Sequence, residues 1–138
     1  MRTGALQCSL LLNQVDMHMP ATDTTPYKKR FLIRRSKHWF SIATEHIACF
    51  VLEDRYVTLT TLDQKQHPIS DSLERLEAVL CPQDFFRINR HTIVSYASIG
   101  QIAPWFNGRL RIEPVNDFSY DLVVSRSRVP GFKQWLDL

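Results

Sequence analysis

From Arg30 onward, apolar residues recur in short runs separated by polar breaks, and most runs alternate with a period of two. "RFLIRR" sets Phe31 and Ile33 against Leu32 and Arg34, and "WFSIA" follows after a polar break. "HIACFVLE" is nearly continuous, the pattern of a strand buried on both faces. "RYVTLTTL" places Val57 and Leu59 on one face and Thr58 and Thr60 on the other. β-Branched and aromatic residues dominate all four stretches. One helix interrupts them. "SDSLERLEAVL" carries Leu73, Leu76, Val79 and Leu80 at helical spacing, with Asp71 three residues before Glu74 as a capping pair and Pro82 as the stop. A shorter helix is expected in "VPGFKQWLDL", with Pro130 in its first turn and Phe132, Trp135 and Leu136 on one face. The spacing predicts a mainly β fold of small antiparallel sheets with these two short helices.

The clearest hairpin is "IAPWFNGRLRIEP". Asn107-Gly108 suits a two-residue type I′ turn, because both positions need positive φ. That loop pairs Phe106 with Arg109 and Trp105 with Leu110. Trp105, Leu110, Ala103 and Ile112 would then share a core-facing side, with Arg109 and Arg111 opposite.

The stretch "FFRINRHTIVS" breaks its own pattern. Phe86 and Ile88 set the inward parity, so Arg90 would also point inward if the strand continued. A buried, unpaired guanidinium is prohibitively unfavourable. The chain is therefore expected to leave the sheet at Asn89, Arg90 and His91 and to resume at Ile93 and Val94. "VVSRSRV" behaves alike: a strand ends, and Ser125, Arg126, Ser127 and Arg128 lead into the last helix. In "LEDRYV", Arg55 sits at a turn between two apolar runs. Arginine on a rigid support suits phosphate oxygens and guanine edges.

Composition narrows the classes. The chain has 138 residues, 44% hydrophobic and 22% charged, with a net charge of +3. That fits one globular domain, and a polyanionic partner is compatible with the charge. From Phe85 to Pro130 there are Arg87, Arg90, Arg109, Arg111, Arg126 and Arg128 against Glu113, Asp117 and Asp121, so the whole excess falls in that part. Arg109 and Arg111 also read simply as the solvated face of a hairpin. Cys8, Cys49 and Cys81 show neither metal-ligand spacing nor a Cys-x-x-Cys pair, which argues for a reducing, cytoplasmic setting over a secreted disulfide scaffold. The five histidines are dispersed, and no glycine-rich phosphate loop or nucleophile elbow is present. No catalytic residue, metal ligand or cofactor is expected. No apolar run is long enough to span a membrane, and "MRTGALQCSLLLNQ" lacks a small-residue cleavage site. Residues 1–27, with the Pro- and Thr-rich "HMPATDTTPYKK", read as a poorly ordered leader or linker before a domain at 28–138.

The motifs "FFRINRHTIVS", an Asn-Gly hairpin and "VVSRSRVPGFKQWL", after "HIACFVLEDRYVTLTT" and "SDSLERLEAVL" in the same order, resemble the LytTR DNA-binding domain of bacterial response regulators, the LytR/AgrA family. The resemblance covers about residues 28–138. It implies an elongated stack of small antiparallel sheets with a short packed helix. It also implies a sequence-specific transcription regulator that binds promoter direct repeats in double-stranded DNA through loops, commonly as a pair of copies. Carried over by position, Arg55 lies in a first DNA-facing loop, Asn89, Arg90 and His91 in a second, and Arg126, Ser127 and Arg128 in a third. Many members have His where this chain has Asn89. Most members also carry a receiver domain upstream. This chain has too few residues for one, so it is expected to be either a stand-alone member or the effector half of a longer protein within a sensor-kinase system. The rival expectation is a protein-interaction or antiactivator module of the same fold without DNA affinity.

Overall fold

The computed structural model describes residues 27–116 and 120–137; the expected leader falls almost entirely outside them. The strands are β1 (Arg30–Arg34), β2 (Trp39–Ala43), β3 (Ile47–Glu53), β4 (Tyr56–Thr61), β5 (Gln66–Ile69), β6 (Phe85–Asn89), β7 (Thr92–Ser95), β8 (Ile99–Trp105), β9 (Arg109–Pro114) and β10 (Leu122–Val124). Helix α1 (Leu73–Val79) lies between β5 and β6, and α2 (Val129–Trp135) follows β10. The strands form three antiparallel sheets: β1-β2, β5-β4-β3-β7-β6 and β10-β9-β8. The predicted mainly β class, its small sheets and its two short helices are what the chain forms.

The five-stranded sheet separates two hydrophobic cores, and strand parity decides which residue enters which. In β3, Ile47 and Phe50 join one core with Phe31, Ile33, Ile42, Leu73 and Leu76. Cys49 and Val51 join the other with Ile112, Leu122, Val124 and Phe132. β7 divides likewise, with Ile93 in the first core and Val94 in the second. β6 sends Phe85 to the first and Ile88 to the second. The hairpin β1–β2 and α1 thus cover one face, and the three-stranded sheet with α2 covers the other. The continuous run in "HIACFVLE" is explained, since Ile47 through Val51 are all buried. Thr60, expected on a polar face, is buried too, because the face it shares with its partner Cys49 is also covered.

Two local expectations need correction, and one strand was not foreseen. The β8–β9 ladder pairs Trp105 with Arg109 and Pro104 with Leu110, so the loop is the three residues Phe106, Asn107 and Gly108. Asn107 and Gly108 do have positive φ, at 59° and 74°. The extra loop residue shifts the register by one and reverses the faces of β8. Ile102, Leu110 and Ile112 meet the core, while Trp105 and Ala103 share the outer side with their partners Arg109 and Arg111. At α1 the cap is Ser72, whose Oγ accepts the Arg75 N–H at 3.1 Å; Asp71 does not cap. The unforeseen β5 is a short edge strand containing Pro68. An edge is where a residue without an N–H is tolerated.

β5 also buries His67. An N–H of Arg35 donates to its Nδ1 at 2.7 Å, and the ring meets Phe40 edge-on at 5.3 Å. Burial, then the Arg35 charge, lowers the pKa of this imidazole. The unfolded chain, with an ordinary His pKa of about 6.5, therefore binds the proton first as pH falls. This contribution to stability is present above about pH 6.5 and declines below it. His67→Gln should flatten the loss of thermal midpoint between neutral and mildly acidic pH; an unchanged pH profile would contradict the assignment. Ile88 is 0% exposed. Ile88→Ala should destabilise the domain by roughly 2–5 kcal/mol in chemical denaturation, as large-to-small changes in closed cores do.

Candidate nucleic-acid interface

The strand registers bring distant parts of the chain to one end of the molecule. Glu53 pairs with Tyr56, leaving Asp54 and Arg55 as the β3–β4 turn. Asn89 pairs with Thr92, leaving Arg90 and His91 as the β6–β7 turn. β3 and β7 are neighbours, and the Leu52 N–H donates to the His91 carbonyl at 2.8 Å, so the two turns lie side by side. On the far side of β6, the Ser125 N–H donates to the Ile88 carbonyl at 2.9 Å. That bond sets the end of β10 beside the end of β6. From there Arg126–Arg128 continue as one 3-10 turn into α2. Arg55, Arg90, His91, Arg126 and Ser127 are exposed; Asn89 and Arg128 are half-buried. All seven residues singled out in the sequence are therefore gathered at this end.

Polar side chains hold the turns in place. Parity turns Arg87 toward the α1 face, where its guanidinium, with a side chain only 10% exposed, meets Glu77 at 2.8 Å and Glu74 at 3.2 Å. The same group donates to the carbonyls of Arg90 at 2.8 Å and Asn89 at 3.3 Å. Four acceptors for five donors make this an adequately satisfied buried cation. The helix N-terminal backbone N–H of Glu74, followed by Arg87, lowers the Glu74 carboxyl pKa. Arg87 thus belongs to the scaffold, although the sequence placed it within the basic cluster. Asn89 uses both ends of its amide: Nδ2 donates to the Val123 carbonyl at 2.8 Å, and Oδ1 accepts the His91 N–H at 2.7 Å. It links the β6–β7 turn to β10. Arg128 donates to the Arg87 carbonyl at 3.3 Å.

The remaining arginines differ in their partners. Arg87 and Arg111 are ion-paired, the latter with Asp121 at 3.3 Å. Among the described residues, Arg55, Arg90, Arg109, Arg126 and Arg128 have no ion pair. Unneutralised guanidiniums on hydrogen-bonded turns can engage phosphates or guanine edges without first breaking an internal pair. A site that sequence reasoning left out is the β8–β9 loop. A Cβ placed on Gly108 would lie 3.6 Å from both Cγ and Cδ of Arg126, so the Arg126 stem lies along this loop. The Asn-Gly pair signalled the turn, but its neighbour follows from the pairing of Leu110 with Val124. Among the described residues no group of His, Cys, Asp or Glu could hold a metal ion, and no helix is long and apolar enough to cross a membrane.

Small antiparallel sheets flanked by two short helices, with cationic turns gathered at one end, define a class of β-domain that presents its charge from loops. The LytTr DNA-binding domain model matches residues 37–137, and the chain belongs to that family. A solved LytTr DNA-binding domain from Bacillus cereus superposes with a TM-score of 0.72 at 19% identity, over 80% of this chain and 99% of that one. At that identity the likeness establishes the fold. The chain is 28% identical to the sensory transduction protein LytT of Enterococcus faecalis, over 82% of this chain and 46% of the relative. It is 37% identical to the transcriptional regulatory protein YpdB of Escherichia coli K12, over 43% of this chain and 24% of the relative. It is 35% identical to the LytT of Bacillus subtilis, over 48% of this chain and 27% of the relative. The matched part is thus under half the length of each of these relatives.

Asn89→Ala should remove both amide bonds at once. The expected outcome is faster hydrogen exchange at the His91 amide and a stability loss of about 1–3 kcal/mol, the range for a hydrogen-bonded polar group whose partners are left unpaired. Unchanged exchange at His91 would mean that the side chain does not hold the turn.

Proposed function

We propose that this chain is the effector domain of a response-regulator-type transcription regulator, acting in the cytoplasm and binding promoter direct repeats of double-stranded DNA through loops, as a pair of copies. The observation that carries the reading is the convergence of Arg55, Arg90, Arg126 and Arg128 at one end of the fold without an acidic partner among the described residues. Arg55, Arg90, His91, Arg126, Ser127 and Arg128 are the contacting residues, and Asn89 positions two of the loops. Residues 1–27 serve as a leader or linker, and the domain works either alone or as the effector half of a longer protein, the relatives being longer than the matched part. The domain proper spans 28–138. The family is one of DNA-binding domains and is not a class of enzyme.

The β6–β7 turn lies between the other two loops, as β6 neighbours β10 on one side and β7 neighbours β3 on the other. Arg90 is then central. Arg55 and Arg126 are outer and reach separate positions of the site, because successive grooves of a duplex recur along one face. Phosphate contacts fix position and base contacts specify.

Arg90→Ala should lower affinity by about 1–3 kcal/mol, spread evenly across sequences, with an unchanged unfolding midpoint. Arg55→Ala and Arg126→Ala should relax preference at different base pairs, and the double variant should lose about the sum of the two, since distant contacts add. For the wild-type chain, log affinity should fall linearly with log salt. Selection from a random duplex library, repeated on each variant, reads all of these. Recovery of no preferred duplex by the wild type would favour a protein-interaction module of this fold. Shifts at the same base pairs in all three single variants would refute the extended docking.

A further inference from the structure

The β8–β9 loop carries a feature that the three arginine-bearing turns lack, an aromatic pair at a braced tip. Phe106 is 68% exposed. Its ring meets Trp105 in a T-shaped contact at 4.9 Å, and the Arg111 guanidinium lies over the Trp105 ring at 4.8 Å. Nε of Arg109 donates to the Phe106 carbonyl at 2.9 Å and closes the loop. Positive φ at Asn107 and Gly108 lets the chain reverse within three residues. Phe106 is thereby supported from behind and projected at the turn.

A lone exposed phenylalanine is ordinary on a protein surface. Three observations distinguish this one. The pairing of Leu110 with Val124 places the tip at the end of the sheet where β10 leads into Arg126. The Arg126 stem runs along the loop at Gly108, so the loop that carries Phe106 and the Arg126 side chain are neighbours. No acidic residue occurs between Gln101 and Ile112, and Arg109 at the tip has no ion pair among the described residues. A duplex offers what this combination needs, phosphates for the cations and, between the phosphate rows, apolar sugar and base edges for the ring.

We infer that the loop Phe106–Arg109 is a fourth contact with double-stranded DNA, in which Phe106 acts as an apolar wedge at a base step of the minor groove beside the position taken by Arg126. The inference rests on the DNA-binding function proposed above. Wedging partly unstacks the step and bends the duplex, which brings more phosphate against the basic end. Pyrimidine–purine steps, which unstack most readily, are the preferred seat.

The probe is a duplex recovered from a random-sequence library by the wild-type chain, with donor and acceptor dyes at its ends. Phe106→Ala should weaken binding about tenfold, in line with the loss of an aromatic contact to bases, and should return energy transfer toward that of free DNA. The base preferences governed by Arg55 and Arg126 should persist, and Phe106→Leu should retain most of the bend. Removal of an exposed ring leaves no cavity, so the thermal midpoint of the alanine variant should match the wild type; should it fall, Phe106→Leu carries the comparison. A duplex bound and bent alike by the wild type and both variants overturns the wedge while leaving the DNA-binding function standing. A selection that returns no duplex overturns both.

Discussion

The central strands of the five-stranded sheet are closed to water on both faces, and that constraint organises everything else in the molecule. A strand buried on two faces makes an unpaired charged side chain prohibitively unfavourable. Alternate residues of β3, β6 and β7 are consigned to two separate cores, with Phe50 and Ile93 on one side and Val51, Ile88 and Val94 on the other. Polar residues in these strands must either find partners or sit where the strand ends. Arg87 does the first, and Arg90 and His91 do the second. The arrangement of charge at the end of the sheet is thus a consequence of how completely its middle is packed.

Positioning at that end depends on a small set of polar contacts. Arg87 joins α1 to the β6–β7 turn through Glu74, Glu77 and the carbonyls of Asn89 and Arg90. Asn89 joins the same turn to β10. The Ser125 N–H, donating to the Ile88 carbonyl, covers part of the free edge of β6, which would otherwise present unpaired backbone groups. A guanidinium held by carboxylates, two for Arg87 and one for Arg111, gives up much of its long-range field to its partners, whereas one without an ion pair keeps it. Arg87 and Arg111 on one side, and Arg55, Arg90, Arg126 and Arg128 on the other, therefore have different work despite identical chemistry. The paired ones build the platform on which the unpaired ones are displayed.

Much of the fold was legible in the chain itself. The alternation in "RFLIRR", the continuous run in "HIACFVLE" and the helical spacing of Leu73, Leu76 and Val79 each answer to local periodicity. Parity alone expelled Arg90 from the sheet, because the unfavourable burial of a lone guanidinium is a property of the residue and holds in any fold. The misreadings fall where two local solutions have similar energy. Asn107-Gly108 announced a reversal with positive φ, but two-residue and three-residue loops both satisfy it. The packing of Ile102, Leu110 and Ile112 against the second core selects the longer loop, and with it the face on which Trp105 lies. Ser72 and Asp71 are both competent caps, and the chain entering α1 from the edge strand β5 seats the first.

Local pattern therefore determined the class of fold, the strands of the two cores and the turns that carry arginine, since periodicity and the penalty for buried charge act within a few residues. Tertiary structure alone decided which arginines are neutralised, that Asn89 is a brace between two loops, and that the β8–β9 loop lies beside Arg126. Each of those depends on the meeting of residues far apart in the chain: Arg87 with Glu77, Asn89 with Val123, Gly108 with Arg126. Their proximity arises from sheet order and register. No single stretch of sequence encodes register, because it is the minimum of packing and hydrogen bonding summed over all the strands at once.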